Sequence, residues 1–143
     1  MKSILLSIAL AAVAVTAAAG CDKKQDDRRA TAKAPVSTVT VAELDGLLAA
    51  GACTPVDANG PTTRKNKGVI PGAIRLTDYE TFAARELPDD KARPLVFYCA
   101  NEQCGASHTA AEKAIIAGHR DVRVLSAGIA GWAAAGKAVE PGA

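Results

Sequence analysis

Four cysteines, Cys21, Cys53, Cys99 and Cys104, carry most of the chemistry this chain can offer. Cys99 ends the apolar run Pro94-Leu95-Val96-Phe97-Tyr98 and precedes a glycine-containing loop, after which Ser107 opens a helical pattern. A thiol at a strand end beside a helix N-terminus meets backbone N–H groups and the positive end of the helix dipole. Both favour an anion and lower the thiol pKa. The position therefore predicts a nucleophilic thiolate, the other reading being an inert cysteine that closes a core strand. Ala100, Asn101, Glu102, Gln103, Gly105, Ala106 and Ser107 form the expected substrate loop. The spacing Cys99-x4-Cys104 suits a small disulfide, or a resolving thiol that attacks a persulfide, sulfenate or mixed disulfide on Cys99. A free loop thiol is equally compatible with that spacing. No metal is expected, since only Glu102 and His108 stand close in sequence and no second Cys or His pair accompanies them. Cys53 lies within an apolar strand and reads as core.

The elements that must position these residues alternate along the chain. Thr40-Val41-Ala42-Glu43 is a capping box opening a helix with Val41, Leu44, Leu47 and Leu48 at helical spacing, ending near Gly51. Cys53 to Val56 reads as a strand ending at Asp57, followed by a polar loop from Ala58 to Gly68. Ile74 to Leu76 reads as a further strand. Thr77-Asp78-Tyr79-Glu80 predicts a second helix, from about Asp78 to Glu86, that stops before Pro88. Leu95 to Tyr98 is apolar without alternation, as in a strand covered on both faces. Ser107 to Ala117 places Ala110, Ala111, Ala114 and Ile115 on one helix face, with Gly118 at the C′ position. Val122 to Leu125 is the last clear strand. Strand and helix alternating at this spacing predict an α/β fold, a small mainly parallel sheet with helices on both faces. Such sheets bind ligands at the carboxyl ends of their strands, where Cys99 falls. With Trp132 the only tryptophan, the core must be built chiefly from Val, Ile, Leu and Ala.

The N-terminal region reads differently. Met1-Lys2 is followed by an apolar or small-residue run from Ile4 to Ala19, sixteen residues long and shorter than the roughly 20 a spanning helix needs. Its composition predicts a cleaved secretory signal. Residues 22–35 are charged or small and cannot bury a core, so they read as a tether, leaving residues 36–143 as one domain. Loss of residues 1–20 would remove Lys2 alone among charged residues, so 17 basic residues become 16 against 15 acidic ones. That near-neutral balance, without a clustered basic face, argues against nucleic acid as a partner.

Two resemblances sharpen this reading. Ala18-Ala19-Gly20-Cys21 resembles a bacterial lipobox, with Ala18 where Leu is usual. The resemblance implies cleavage before Cys21 and diacylglycerol on its sulfur, with residues 21–35 as a lipidated tether to a membrane. Asp22 resembles the signal that retains such lipoproteins in the inner membrane, with the domain facing the periplasm. From about Val36 to Pro141 the chain resembles the rhodanese family. Cys53-Thr54-Pro55-Val56-Asp57 is similar to the family's early strand, and Gly68-Val69-Ile70-Pro71-Gly72-Ala73 to its Gly-His-Ile-Pro-Gly-Ala, with Val69 for His. Leu95 to Cys99, Ser107 with Ala110-Ala111, Gly118 to Val122, and Ala127 to Trp132 follow in the family's order.

That resemblance implies sulfur transfer without a metal or organic cofactor. Cys99 would take a sulfane sulfur from a small sulfur-containing anion such as thiosulfate, or from a protein persulfide, and pass it to a nucleophile. The loop departs from the common Cys-x-x-Gly-x-Arg-Ser: it is two residues longer and has Ala106 where Arg would precede the Ser. Without that forked donor an anionic substrate binds less well. The same loss argues against the arsenate reductases and dual-specificity phosphatases related by fold. Three functions follow as expectations: a periplasmic sulfurtransferase, a thiol redox protein using Cys99 and Cys104, and a non-catalytic rhodanese-like binding module.

Overall fold

The computed structural model describes residues 35–142, and the expected signal segment, Cys21 and residues 22–34 of the expected tether lie outside them. Five strands, β1 (Ser37–Val39), β2 (Thr54–Asp57), β3 (Ile74–Arg75), β4 (Leu95–Tyr98) and β5 (Val122–Leu125), form one sheet. The sheet is parallel throughout, in the order β1-β5-β4-β2-β3. Four helices connect them: α1 (Val41–Ala49), α2 (Pro61–Lys67), α3 (Ala106–Ile116) and α4 (Gly128–Ala134). This is the expected α/β fold.

The central strand β4 explains the two-sided architecture. Its four residues are fully buried and alternate between two cores. Leu95 and Phe97 join Val56, Val124 and the Ala110, Ala111 and Ala114 face of α3. Val96 and Tyr98 join Leu44 of α1, Leu125, and Ile129 and Trp132 of α4. A strand with no polar face must be covered twice, and each large side chain so buried contributes about 1.5–3 kcal/mol. Cys99 continues the alternation onto the α3 side. Cys53 is buried in the other core.

Local signals set several boundaries as expected. Thr40 and Glu43 form the reciprocal capping box of α1, Thr40 N–H donating to Glu43 Oε2 at 2.7 Å and Glu43 N–H to Thr40 Oγ1 at 3.2 Å. After α3, Gly118 takes a φ of 95°, and His119 N–H closes the turn on the Ala114 carbonyl at 3.1 Å.

Three expectations are corrected. The segment 78–86 is a turn followed by a single 3-10 turn at Ala84–Glu86, not a helix. Phe82 and Leu87 are both buried, yet residues five apart would point to different sides of a helix. The chain unwinds to bury both, and the Asp78 carboxylate takes the Glu80 and Thr81 N–H groups at 2.8 Å each. The supposed loop 58–68 contains α2, which begins with Pro61 at its first turn and carries no apolar stripe. Ile115 is 45% exposed, because the buried stripe of α3 runs along Ser107, Ala110, Ala111 and Ala114 and leaves Ile115 at its edge. Strand β1 and helix α4 had no separate signal: β1 has three residues, and α4 carries two glycines.

Candidate functional site

The end of β4 is held in place from two sides. Ile129 N–H donates to the Cys99 carbonyl at 2.8 Å and Ala130 N–H to the Ala100 carbonyl at 3.1 Å, so the first turn of α4 carries the start of the loop. Gly128 permits this approach. Its φ is 60°, and a Cβ there would stand 2.6 Å from both Asn101 N and the Cys99 carbonyl oxygen. Asn101 then shapes the loop, its side-chain oxygen accepting from Gln103 N–H at 3.1 Å and its carbonyl from Cys104 N–H at 3.1 Å. At the far end Thr109 N–H donates to the Gly105 carbonyl at 3.1 Å, which fixes the start of α3.

Cys99 is 1% exposed, and its Sγ faces acceptors. The thiol donates to the Cys104 carbonyl at 2.9 Å, lies 3.9 Å from the Asn101 carbonyl and is 3.3 Å from the hydroxyl of the buried Ser107. Burial pushes the Cys99 pKa up, the neighbouring Cys104 sulfur adds to this, and the Ser107 hydroxyl and N–H only partly oppose it. This corrects the expectation of a lowered pKa at Cys99. Proximity to a helix N-terminus is outweighed by burial and by the neighbouring Cys104 sulfur.

Cys104 has the opposite balance. Half-buried in the loop, its sulfur loses some stabilisation by burial, which the neighbouring Cys99 thiol and the N–H groups of Ala100 and Ala106 oppose. The donors win and bring its pKa below the ordinary thiol value. Cys104 thus has the N–H groups of Ala100 and Ala106, whereas at Cys99 the hydroxyl and N–H of Ser107 are set against burial and two carbonyl oxygens. Both are free thiols. Asn101, Glu102, Gln103 and Gly105 are exposed, Glu102 lining a shallow cleft with Thr40 and Ser126. His108 sits partly exposed in the first turn of α3.

Beside the loop lies a buried network with little local signal in the chain. Asp57 and Tyr98 are register neighbours at the carboxyl ends of β2 and β4. Tyr98 donates its hydroxyl to Asp57 Oδ2 at 3.1 Å and accepts from Ile70 N–H at 3.0 Å. Asp57 Oδ1 accepts from Asn59 N–H at 2.6 Å, which fixes the start of the following loop. Arg64 completes the network from α2, with Nε 3.5 Å from Asp57 Oδ2 and an Nη donating to the Asp57 and Leu76 carbonyls at 3.1 and 2.8 Å. Burial holds the Asp57 carboxyl above the usual carboxylate range, with the Asn59 N–H and Arg64 partly opposing. Committed to these partners, Arg64 is no replacement for the arginine the loop lacks. Nothing in the polar stretch around Arg64 marks it for burial. Among the described residues, no group of three or more His, Cys, Asp or Glu side chains is arranged to hold a metal.

A doubly covered parallel sheet that delivers a cysteine from its central strand into a loop before a helix is the arrangement the rhodanese resemblance implies. The family model for the rhodanese-like domain matches residues 40–135, and the chain belongs to that family. No curated protein matches. Among solved structures, the chain is similar to the rhodanese-like domain of an Anabaena protein, at 26% identity over 72% of this chain and 77% of that one, with a TM-score of 0.60. A Rhodopseudomonas palustris protein of unknown function, described as a possible tyrosine phosphatase, is also 26% identical over 73% and 85% of the two chains, with a TM-score of 0.60. Thiosulfate sulfurtransferase from Pseudomonas aeruginosa is 25% identical over 76% of this chain but only 21% of its own, with a TM-score of 0.64.

Proposed function

We propose that this chain is an exported, lipid-anchored sulfurtransferase that carries sulfane sulfur as a persulfide on Cys99. The observation that carries the reading is the place of Cys99: its sulfur ends the central strand, touches Ser107 at the start of α3 and has a second thiol beside it. The likeness to a thiosulfate sulfurtransferase supports the same chemistry. A phosphatase would need a forked cation for the phosphoryl group, and no arginine stands in the loop.

For Cys99 to hold a persulfide, the Cys104 carbonyl must leave its sulfur. A turn of the Cys104–Gly105 peptide swings that carbonyl out and brings the Gly105 N–H in, replacing an acceptor with a donor for the persulfide anion. The turn carries the Gly105 φ from −80° to the positive side, where glycine is at home. Exposed and anchored only through its own carbonyl to α3, Gly105 suits that role. The missing arginine makes thiosulfate a poor donor and favours a less charged persulfide.

Intact-mass analysis tests this after exposure to thiosulfate or to cysteine persulfide. The chain should gain one sulfur, faster from cysteine persulfide, and peptide mapping should place it on Cys99. No gain from either donor, or sulfur residing only on Cys104 at equilibrium, would refute the carrier role. The adjacent free thiols also favour a second reading, a dithiol redox protein. That reading predicts loss of two hydrogens, the mark of a Cys99–Cys104 disulfide, in place of the gained sulfur.

A further inference from the structure

We propose that sulfur enters the loop at Cys104 and is relayed from there to Cys99. The proposal rests on the sulfurtransferase reading and gives its two thiols an order.

Access points to it first. Cys99 is 1% exposed, lies in the core beneath α3 and is covered by the Cys104 carbonyl at 2.9 Å, so a donor arriving from solvent cannot reach its sulfur in this conformation. Cys104 is half-buried at the loop surface, with Tyr79 and Ala106 packed on the same side of the core. The backbone donors point the same way. The N–H groups of Ala100 and Ala106 donate to the Cys104 sulfur, a pair that stabilises a thiolate and, after reaction, the sulfur bonded to it. The lowered pKa of Cys104 and the raised pKa of Cys99 agree with that division.

The relay balances without any outside oxidant or reductant. The Cys104 thiolate attacks the sulfane sulfur of the donor, forming an S–S bond as the donor's bond to that sulfur breaks. The leaving group, sulfite from thiosulfate or a thiolate from a persulfide, departs with the electron pair, leaving Cys104–S–S⁻. The Cys99 thiol then gives its proton to the outer sulfur, and the resulting Cys99 thiolate attacks that sulfur. The bond to Cys104 breaks with its electron pair on Cys104, leaving Cys99–S–SH and a regenerated Cys104 thiolate. The transferred sulfur keeps its oxidation state throughout. Cys99 then holds it out of water, where Cys104 could not.

Time-resolved mass analysis of the full chain with cysteine persulfide, followed by peptide mapping, separates the steps. Cys104→Ser should load Cys99 at least tenfold more slowly than the unmodified chain. Cys99→Ala should place one sulfur on Cys104 at a rate within about twofold of wild-type uptake, a signature that a structural defect cannot produce. Cys99→Ser serves as a second variant should alanine disturb the core, with the folded state of each checked by circular dichroism. Loading of Cys99 at the wild-type rate in Cys104→Ser, or failure of both folded Cys99 variants to load Cys104, would overturn the relay and leave the sulfurtransferase reading standing. No uptake by the wild-type chain overturns both.

Discussion

A thiol ionises where donors outnumber acceptors around its sulfur, and this loop shares its backbone groups unequally between two thiols. Cys99 meets two carbonyl oxygens and Cys104 two N–H groups, and the two thiols are shifted in opposite directions. In the proposed mechanism the peptide between Cys104 and Gly105 is the switch point, because turning it would exchange the acceptor on Cys99 for a donor. Gly105→Ala isolates that motion. At a φ of −80°, and with no atom within 4 Å of its Cβ, alanine fits the resting loop without strain. The turned loop would hold alanine at positive φ at a cost of ~1–2 kcal/mol, so persulfide formation on Cys99 should slow about tenfold while the melting temperature is kept or raised. Stopped loading assays measure the first and thermal unfolding the second. An unchanged loading rate would remove the peptide turn from the mechanism.

Elements position these residues through contacts that differ in how plainly the sequence announces them. His119, just after α3, is 3% exposed, and its Nε2 is 3.0 Å from Lys91 Nζ, which makes that nitrogen the acceptor of a neutral ring. Burial, with the Lys91 charge adding to it and Asp90 weakly opposing, lowers the His119 pKa from 6.5. The unfolded chain therefore binds a proton more readily than the folded one, and the contribution of His119 to stability is complete above about pH 6.5 and lost as the pH falls toward the lowered value. Unfolding midpoints measured between pH 7.5 and 5.5 should fall more steeply for the wild type than for His119→Gln; parallel curves would show that the ring does not set this slope. His119 could be noticed in sequence only as part of Gly118 to Val122, with no sign of its lysine. The same limit explains the other gaps. Helix α1 and strand β4 were legible because capping and apolar run are local, as was Cys99 at the strand end. Helix α2 was not, since Arg64 is buried by Asp57 and by carbonyls distant in sequence, and the polarity of Cys99 against Cys104 depends on which way loop peptides face. The helix expected at 78–86 failed for a tertiary reason, two core residues that a helix could not bury together.

At the scale of the whole molecule, no helix among the described residues is long and apolar enough to cross a bilayer. Membrane attachment in the proposed function falls to Cys21, outside the described residues. Two acyl chains on that sulfur suffice for stable anchoring, whereas one is marginal. The fourteen residues 22–35 would then let the domain stand off the bilayer by at most about 50 Å at full extension, which bounds where a sulfur donor or acceptor must present itself. Cys21→Ser tests the anchor. In a bacterial host that processes lipoproteins, the wild-type chain should incorporate a labelled fatty acid and fractionate with membranes. The serine variant should incorporate none and should lose processing before residue 21, accumulating either as the uncleaved precursor or as a soluble exported form. Its folded domain should still load sulfur, since Cys99, Cys104 and the strands and helices that hold them all lie within residues 35–142. A serine variant that is processed, labelled and retained on membranes like the wild type would refute lipid anchoring at Cys21 and leave the chemistry of the loop untouched.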